Sequence, residues 1–285
     1  VALTSAGGGH YEGLLQQADA AMYQAKDQGR NTVAVHRAEA YSPRRHQLEL
    51  ESALHKALDR HELAVVYQPQ VELESGRIVG VEALLRWHHP TLGTLAPDDF
   101  LSIAEDTGLI VEIDRWVRRS ALAQVRSWGD AGLPAVRLAL NLSTRELRSP
   151  SLAYDIAADI AESGVSPGMV EIEITERTVL ADSDDLGHIL DDLSATGARL
   201  AVDDFGTGSS VLSRLQGGPF DTLKIDRSFI HDTASEPASA VVAALVQMGT
   251  NLGLDIIAEG VETQAQRTTL IALGCVYGQG YLFSR

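Results

Sequence analysis

The sequence predicts an α/β fold: a modified TIM (β/α)8 barrel with one antiparallel strand, the first strand being hairpinned to the second. Two observations carry this. From about residue 63 onward, short strand-like stretches alternate with segments of helical periodicity, eight strands in all. The connection from Val71 to Gly76 is too short for a parallel crossover, which needs about a dozen residues or more. The first two strands must therefore run antiparallel.

The elements follow from pattern and punctuation. Strands are expected at 63–70, 77–85, 136–141, 169–175, 198–203, 221–225, 254–258 and 275–279. Helices are expected at 97–106, 109–128, 151–163, 184–196, 209–216, 237–252 and 262–273. In the second of these, Ile113, Val117, Leu122 and Val125 share a stripe with Trp116 and Trp128, which assigns both tryptophans to packing. Ahead of the barrel, residues 44–60 read as a helix with Leu48, Leu50, Leu54, Ala57 and Leu58 on its apolar face. Residues 38–45 read as a polar linker around Pro43. Residues 1–37, with a helix over 14–29 and a strand over 32–35, are too small to form a core of their own.

Composition narrows the function. The 285 residues carry 45% hydrophobic content and a net charge of −16. That charge argues against polymeric nucleic acid, which needs a basic footprint. It does not exclude a small phosphate ester, because bound divalent metals reverse the local field. No apolar run reaches the length of a membrane span, and a cytoplasmic location is expected. Cys275, the single cysteine, rules out a disulfide framework and reads as a core residue of the eighth strand. His88 and His89 read as solvated loop residues, and Glu72 and Glu74 as part of an exposed turn.

The most informative stretch is Ala198 to Ser210, a largely apolar strand ending in Asp203-Asp204 and a loop with glycine at 206 and 208. Adjacent side chains on a strand diverge, but at a strand end two carboxylates can grip one cation or two close ones. A helix-capping turn is the plainer alternative. Barrels of this kind place reactive groups at the C-terminal ends of their strands. Here those ends carry Glu82, Asn141, Glu173, Asp203 with Asp204, Lys224, Glu259 and Gln279. Burying several acids without cations costs many kcal/mol. An oxygen-only donor set favours Mg²⁺ or Mn²⁺, and the acid count suggests two ions. Lys224 reads either as a structural ion pair or as a catalytic group.

Tyr67-Gln68-Pro69, Glu82-Ala83-Leu84 with Leu85-Arg86-Trp87, Asn141-Leu142-Ser143, Glu173 with Glu176, Asp203-Asp204-Phe205-Gly206-Thr207-Gly208, Leu223-Lys224-Ile225-Asp226, Glu259 with Glu262, and Gln279-Gly280-Tyr281 occur in that order. The set resembles an EAL domain over roughly residues 45–285. The resemblance implies hydrolysis of cyclic di-GMP to linear pGpG by a two-metal activated water, with Ca²⁺ inhibitory. It implies that Glu82, Asn141, Glu173 and Asp203 ligate one metal, and that Asp203, Asp204 and Glu259 hold the second. Lys224 would activate the attacking water and Glu176 would brace the loop after Asp204. Gln68, Leu85, Arg86, Glu262 and Gln279 would line the substrate or support its neighbours.

Ser102, Ser209 and Val276 depart from the family pattern, and none is among the implied ligands. The alternatives are a receptor that binds the nucleotide without cutting it, and a dimerisation and signal-relay element in which residues 1–37 and the helix at 44–60 couple to an upstream regulator; a homodimer through the barrel is a further expectation. Residues 18–31 resemble the C-terminal end of a GGDEF (diguanylate cyclase) domain without its signature loop. The expected domains are thus a GGDEF-like fragment over 1–37, a linker over 38–45 and a barrel over 46–285.

Overall fold

A computed structural model describes residues 43–180, 186–206, 212–231, 233 and 236–284, together with Met22. The helix and strand expected within residues 1–37, and most of the expected linker, lie outside the described residues. The chain divides into two compact units, whose described parts are residues 43–64 with 86–109, and residues 65–85 with 110–284.

In the smaller unit, helix α1 (Pro43–Ala57) buries Leu50, Leu54 and Ala57. Leu48 was expected on that face but is exposed. The helix stops before Arg60 because His61 turns left-handed at φ 55°. The Glu62 amide then donates to the Ala57 carbonyl and the His61 amide to that of Leu58. Trp87, fully buried, packs edge-on against Phe100 with ring centres 5.4 Å apart and donates its indole N–H to Glu62 at 3.1 Å. Helix α2 (Leu101–Thr107) follows a 3₁₀ turn at Pro97–Asp99. Strand β2 (Ile78–His89) runs longer than expected and pairs antiparallel with a short strand, β3 (Gly93–Leu95). His88 and His89 therefore end a strand rather than occupy a loop. His89 Nδ1 accepts from the Thr91 and Leu92 amides and so holds the tight turn.

The larger unit contains the barrel. Strand β1 (Leu63–Glu72) pairs antiparallel with β9 (Tyr277–Gln279) and also pairs with β2. Parallel pairing links β2, β4 (Arg137–Asn141), β5 (Val170–Thr175), β6 (Arg199–Phe205), β7 (Thr222–Ile225), β8 (Asp255–Ala258) and β9. The sheet closes with β1 as its one reversed barrel strand, as the short hairpin dictates. Helices α3 (Ile110–Asp130), α5 (Leu152–Ser163), α7 (Leu186–Ala195), α10 (Glu236–Asn251) and α11 (Gln264–Ala272) fall close to their expected positions. Of the helix expected at 209–216, α8 (Leu212–Leu215) is described. Three one-turn helices, α4 (Thr144–Leu147), α6 (Glu176–Leu180) and α9 (Arg227–Ile230), follow strand ends and had not been expected.

Along each strand the alternation sorts side chains by destination. Leu138, Leu140, Ile172, Ile174, Leu200, Val202, Leu223 and Ile225 belong to the apolar core. The other face is polar and points into the barrel, because it brings together residues from strands that are not neighbours in the sheet. Near the N-terminal strand ends, buried Glu171 accepts from Arg137 at 3.3 Å, Arg199 at 3.2 Å and the Thr222 hydroxyl at 2.6 Å. Asp255 pairs with the same two arginines at 3.3 and 2.7 Å. Glu171 is thereby bound into this plug, while Glu173 lies one pleat further along β5. Cys275 lies just ahead of β9 rather than on it; burial pushes its thiol up to about 12, so it is an inert core group.

Removing the Glu171 carboxylate takes the one fully buried acid from this cluster and leaves Arg137 and Arg199 sharing Asp255. Glu171→Ala should lower unfolding stability in urea by about 3 kcal/mol, the scale for breaking a buried ion pair.

Candidate active site

The C-terminal ends of the barrel strands converge on one ammonium. Lys224 on β7 is fully buried. Its Nζ lies 2.8 Å from Glu173 on β5, 2.8 Å from Glu259 after β8, 3.2 Å from Glu82 on β2 and 3.2 Å from Asp203 on β6. Glu82 is held from two more sides: Asn141 Nδ2 donates to Oε1 at 2.8 Å, and Gln279 Nε2 donates to Oε2 at 2.6 Å. Gln279 also donates to Gln68 Oε1 at 2.7 Å, tying β9 to β1.

Asp203 and Asp204 are neighbours that should diverge, and a local irregularity overcomes this. The β6–β7 register shifts between Val202 and Phe205, and Asp204 takes a left-handed φ of 54°. Aspartate tolerates that conformation better than most residues. As a result, one oxygen each from Asp203, Asp204 and Glu259 falls within 4.8 Å of the others. Next comes Gly206 at φ 100°, where a Cβ would lie 2.5 Å from the Phe229 ring. The Gly206 amide donates to buried Glu176 at 2.8 Å. Leu85 is buried on β2, and Arg86, half-buried, follows it in the smaller unit. Glu262 is exposed beyond β8, where its amide donates to Gln266 Oε1 in the capping box of α11.

The electrostatics show strong charge crowding. Burial, then repulsion from Glu82, pushes Glu173 well above the carboxylate range. Burial pushes Glu259 up to about 8 and Asp204 up to about 6, with Asp203 adding to both. Burial would depress Lys224, but Asp203, Glu173, Glu259 and Glu82 together hold it above its ordinary value. Glu82 goes the other way: burial is outweighed by Lys224 and by hydrogen bonds from Gln279 and Asn141. Fully ionised, Glu82, Glu173, Asp203, Asp204 and Glu259 carry five negative charges against one on Lys224, leaving four. Glu173 Oε1 is buried without a hydrogen-bond partner, and Asp203 Oδ1 faces the ammonium without hydrogen-bond geometry. Hard oxygen donors, orphaned buried oxygens and a surplus of four charges fit a pair of divalent ions.

A second buried ionic cluster lies behind β4. Arg118 on α3 pairs with Glu146 on α4 at 2.8 Å and with Asp159 on α5 at 2.7 Å. Asp114, one turn before Arg118, is pushed up to about 7 by burial and accepts from the Ser143 amide at 3.3 Å. The sequence signal was an arginine within the apolar stripe that contains Ile113, Val117 and Leu122.

The family model of the EAL domain matches residues 51–285. The chain belongs to the EAL domain family. The chain is 43% identical over 273 residues to the bifunctional diguanylate cyclase/cyclic di-GMP phosphodiesterase MucR of Pseudomonas aeruginosa, covering 95% of this chain and 40% of that protein. It is 38% identical over 275 residues to the cyclic di-GMP phosphodiesterase NbdA of the same organism, covering 96% of this chain and 35% of NbdA. The chain thus spans well under half the length of these relatives. The solved structure of the PaMucR phosphodiesterase in complex with c-di-GMP superposes with a TM-score of 0.80 at 42% identity, over 83% of this chain and 96% of that one. The EAL barrel is therefore homologous to cyclic di-GMP phosphodiesterases. Among the described residues, no helix is long and apolar enough to cross a membrane.

Charge crowding has a pH signature. Glu259 and Asp204 have folded pKa values above their unfolded ones, so their ionisation costs more in the folded state. Without divalent ions, stability should fall as pH rises from 5 to about 8.5. Asp114 contributes with the same sign. Adding Mg²⁺ should flatten the part of the slope that belongs to the site, read as melting temperature against pH with and without the ion.

Proposed function

We propose that this EAL barrel hydrolyses cyclic di-GMP to linear pGpG, using two divalent ions, Mg²⁺ or Mn²⁺. The observation that carries this reading is the convergence of Glu82, Glu173, Asp203 and Glu259 on Lys224. The homology to cyclic di-GMP phosphodiesterases supplies the substrate class. Glu82, Asn141, Glu173 and Asp203 would hold one ion, and Asp203, Asp204 and Glu259 the other. When bound, the ions would supply the charge that makes water nucleophilic at neutral pH and neutralises the phosphodiester.

The chain's own groups do the positioning. The Asn141 amide spends its N–H on Glu82, which leaves Oδ1 as its lone-pair donor. The Lys224 ammonium, kept protonated by its acids, directs its N–H groups to Glu82, Glu173 and Glu259, and would turn one to an attacking water where the ions take over one of those carboxylates. Gln279 locks the Glu82 carboxylate with a hydrogen bond of 2.6 Å. Glu176 fixes the turn that follows the paired aspartates. The water oxygen forms the new bond to phosphorus, the bond to the ribose 3′ oxygen breaks, and that oxygen leaves with a proton as the 3′ hydroxyl.

The test is incubation with cyclic di-GMP and Mg²⁺ or Mn²⁺, with products separated by chromatography. The expected product is pGpG. Glu82→Ala and Lys224→Met should each lower kcat by about a hundredfold or more, the scale for one preorganised electrostatic contact. Ca²⁺, with looser and larger coordination, should support binding without turnover. Nucleotide binding with no product under Mg²⁺ and Mn²⁺ alike would make the domain a receptor instead.

A further inference from the structure

A short path of contacts connects the ionic cluster behind β4 to Asn141. Asn141 is itself exposed, so burial does not hold it in place. Its bond to Glu82, its pairing with β5 and the turn that follows it do. The Leu142 amide donates to the Glu173 carbonyl at 3.0 Å, and the Ser143 amide donates to Asp114 at 3.3 Å. Ser143 then caps α4, its hydroxyl accepting from the Glu146 amide at 3.2 Å. Glu146, 3% exposed, is pinned by Arg118, also 3% exposed, whose Nε is fixed in turn by Asp159. Asp159 uses its second oxygen on Arg119 at 2.7 Å. Asp114 and Arg118 share with Asn141 the lining of one small cavity behind the strand.

A one-turn helix such as α4 has little stability of its own. A buried ion network is also weak evidence for stability, since apolar residues of the same volume often do as well. What such a network supplies is a defined orientation. We propose that Glu146, clamped by Arg118, is a positioning residue for Asn141: it fixes α4 and hence the turn that presents the Asn141 amide to a divalent ion. The inference rests on the reading of Asn141 as a ligand. The three helices α3, α4 and α5 meet through these charges, so a disturbance on α3 would reach the metal site through Glu146.

The test compares Mn²⁺ affinity, read by titration calorimetry, in four proteins: native, Glu146→Gln, Asn141→Ala and the double variant. Glu146→Gln keeps an acceptor but loses the charge that holds Arg118. It should weaken Mn²⁺ binding about tenfold, within the range for partners that orient a metal ligand. Its kcat should return to the native value at saturating Mn²⁺. In the Asn141→Ala background the same substitution should change affinity little, because the coupling runs through Asn141. Arg118→Lys, which keeps the charge but not the two-pronged geometry, gives the same comparison should Glu146→Gln not fold. A lowered melting temperature with unchanged Mn²⁺ affinity, or equal losses in both backgrounds, would overturn the inference. A native protein that binds no Mn²⁺ would instead overturn the functional reading beneath it.

Discussion

The barrel mouth depends on one ammonium surrounded by acids. Glu82, Glu173 and Asp203 on separate strands and Glu259 just after another are spread over most of the barrel sequence, and among the described residues Lys224 is the one group in hydrogen-bonding or ion-pairing distance of all four. With Lys224 buried, its attraction to each carboxylate is poorly screened, and so is the repulsion among the carboxylates. One cation cannot balance five carboxylates. The closed sheet holds them together nonetheless, because their strands are fixed by backbone pairing and by the apolar face packed outside. That excess of negative charge is what the proposed pair of divalent ions would neutralise.

The interior is charged at both ends, with different outcomes. At the N-terminal end, Glu171 and Asp255 meet Arg137 and Arg199 as two acids against two bases, with the more exposed Asp221 at 3.9 Å from Arg199, and the charges come close to cancelling. At the C-terminal end, acids outnumber bases, and the pKa values of Glu173, Glu259 and Asp204 rise instead. The same strand, β5, supplies Glu171 to one cluster and Glu173 to the other. The balance of partners, not the residue type, decides which cluster is a plug and which is a site. The bulge in β6 is the second device: it turns two adjacent aspartates toward a common point, and Gly206 against Phe229 keeps the following turn close.

The fold was largely legible because its determinants are local. Apolar alternation, helical stripes and a hairpin too short for a crossover fix a closed barrel with one reversed strand. Convergence of the acids followed from strand ends alone. Other features depended on partners distant in sequence. Nothing near His88 and His89 announces that Gly93–Leu95 will extend the sheet beside them. Glu171 and Glu173 look alike on a strand, and their separation shows only once Arg137 and Arg199 arrive from its neighbours. Arg118 stood within an apolar stripe, but its meaning required Glu146 and Asp159 from two other helices. The left-handed Asp204 was not legible either, since aspartate adopts that geometry only when the register shift demands it.

The central claim is that the acids at the mouth form a site for two hard dications sharing Asp203. Counting Mn²⁺ bound per chain at saturation, by equilibrium dialysis of the native protein and of Asp203→Asn, tests it most directly. Two ions per native chain, falling to one or none without the Asp203 carboxylate, is the result the account predicts. No stoichiometric Mn²⁺ on the native chain, or two ions retained without Asp203, would contradict it.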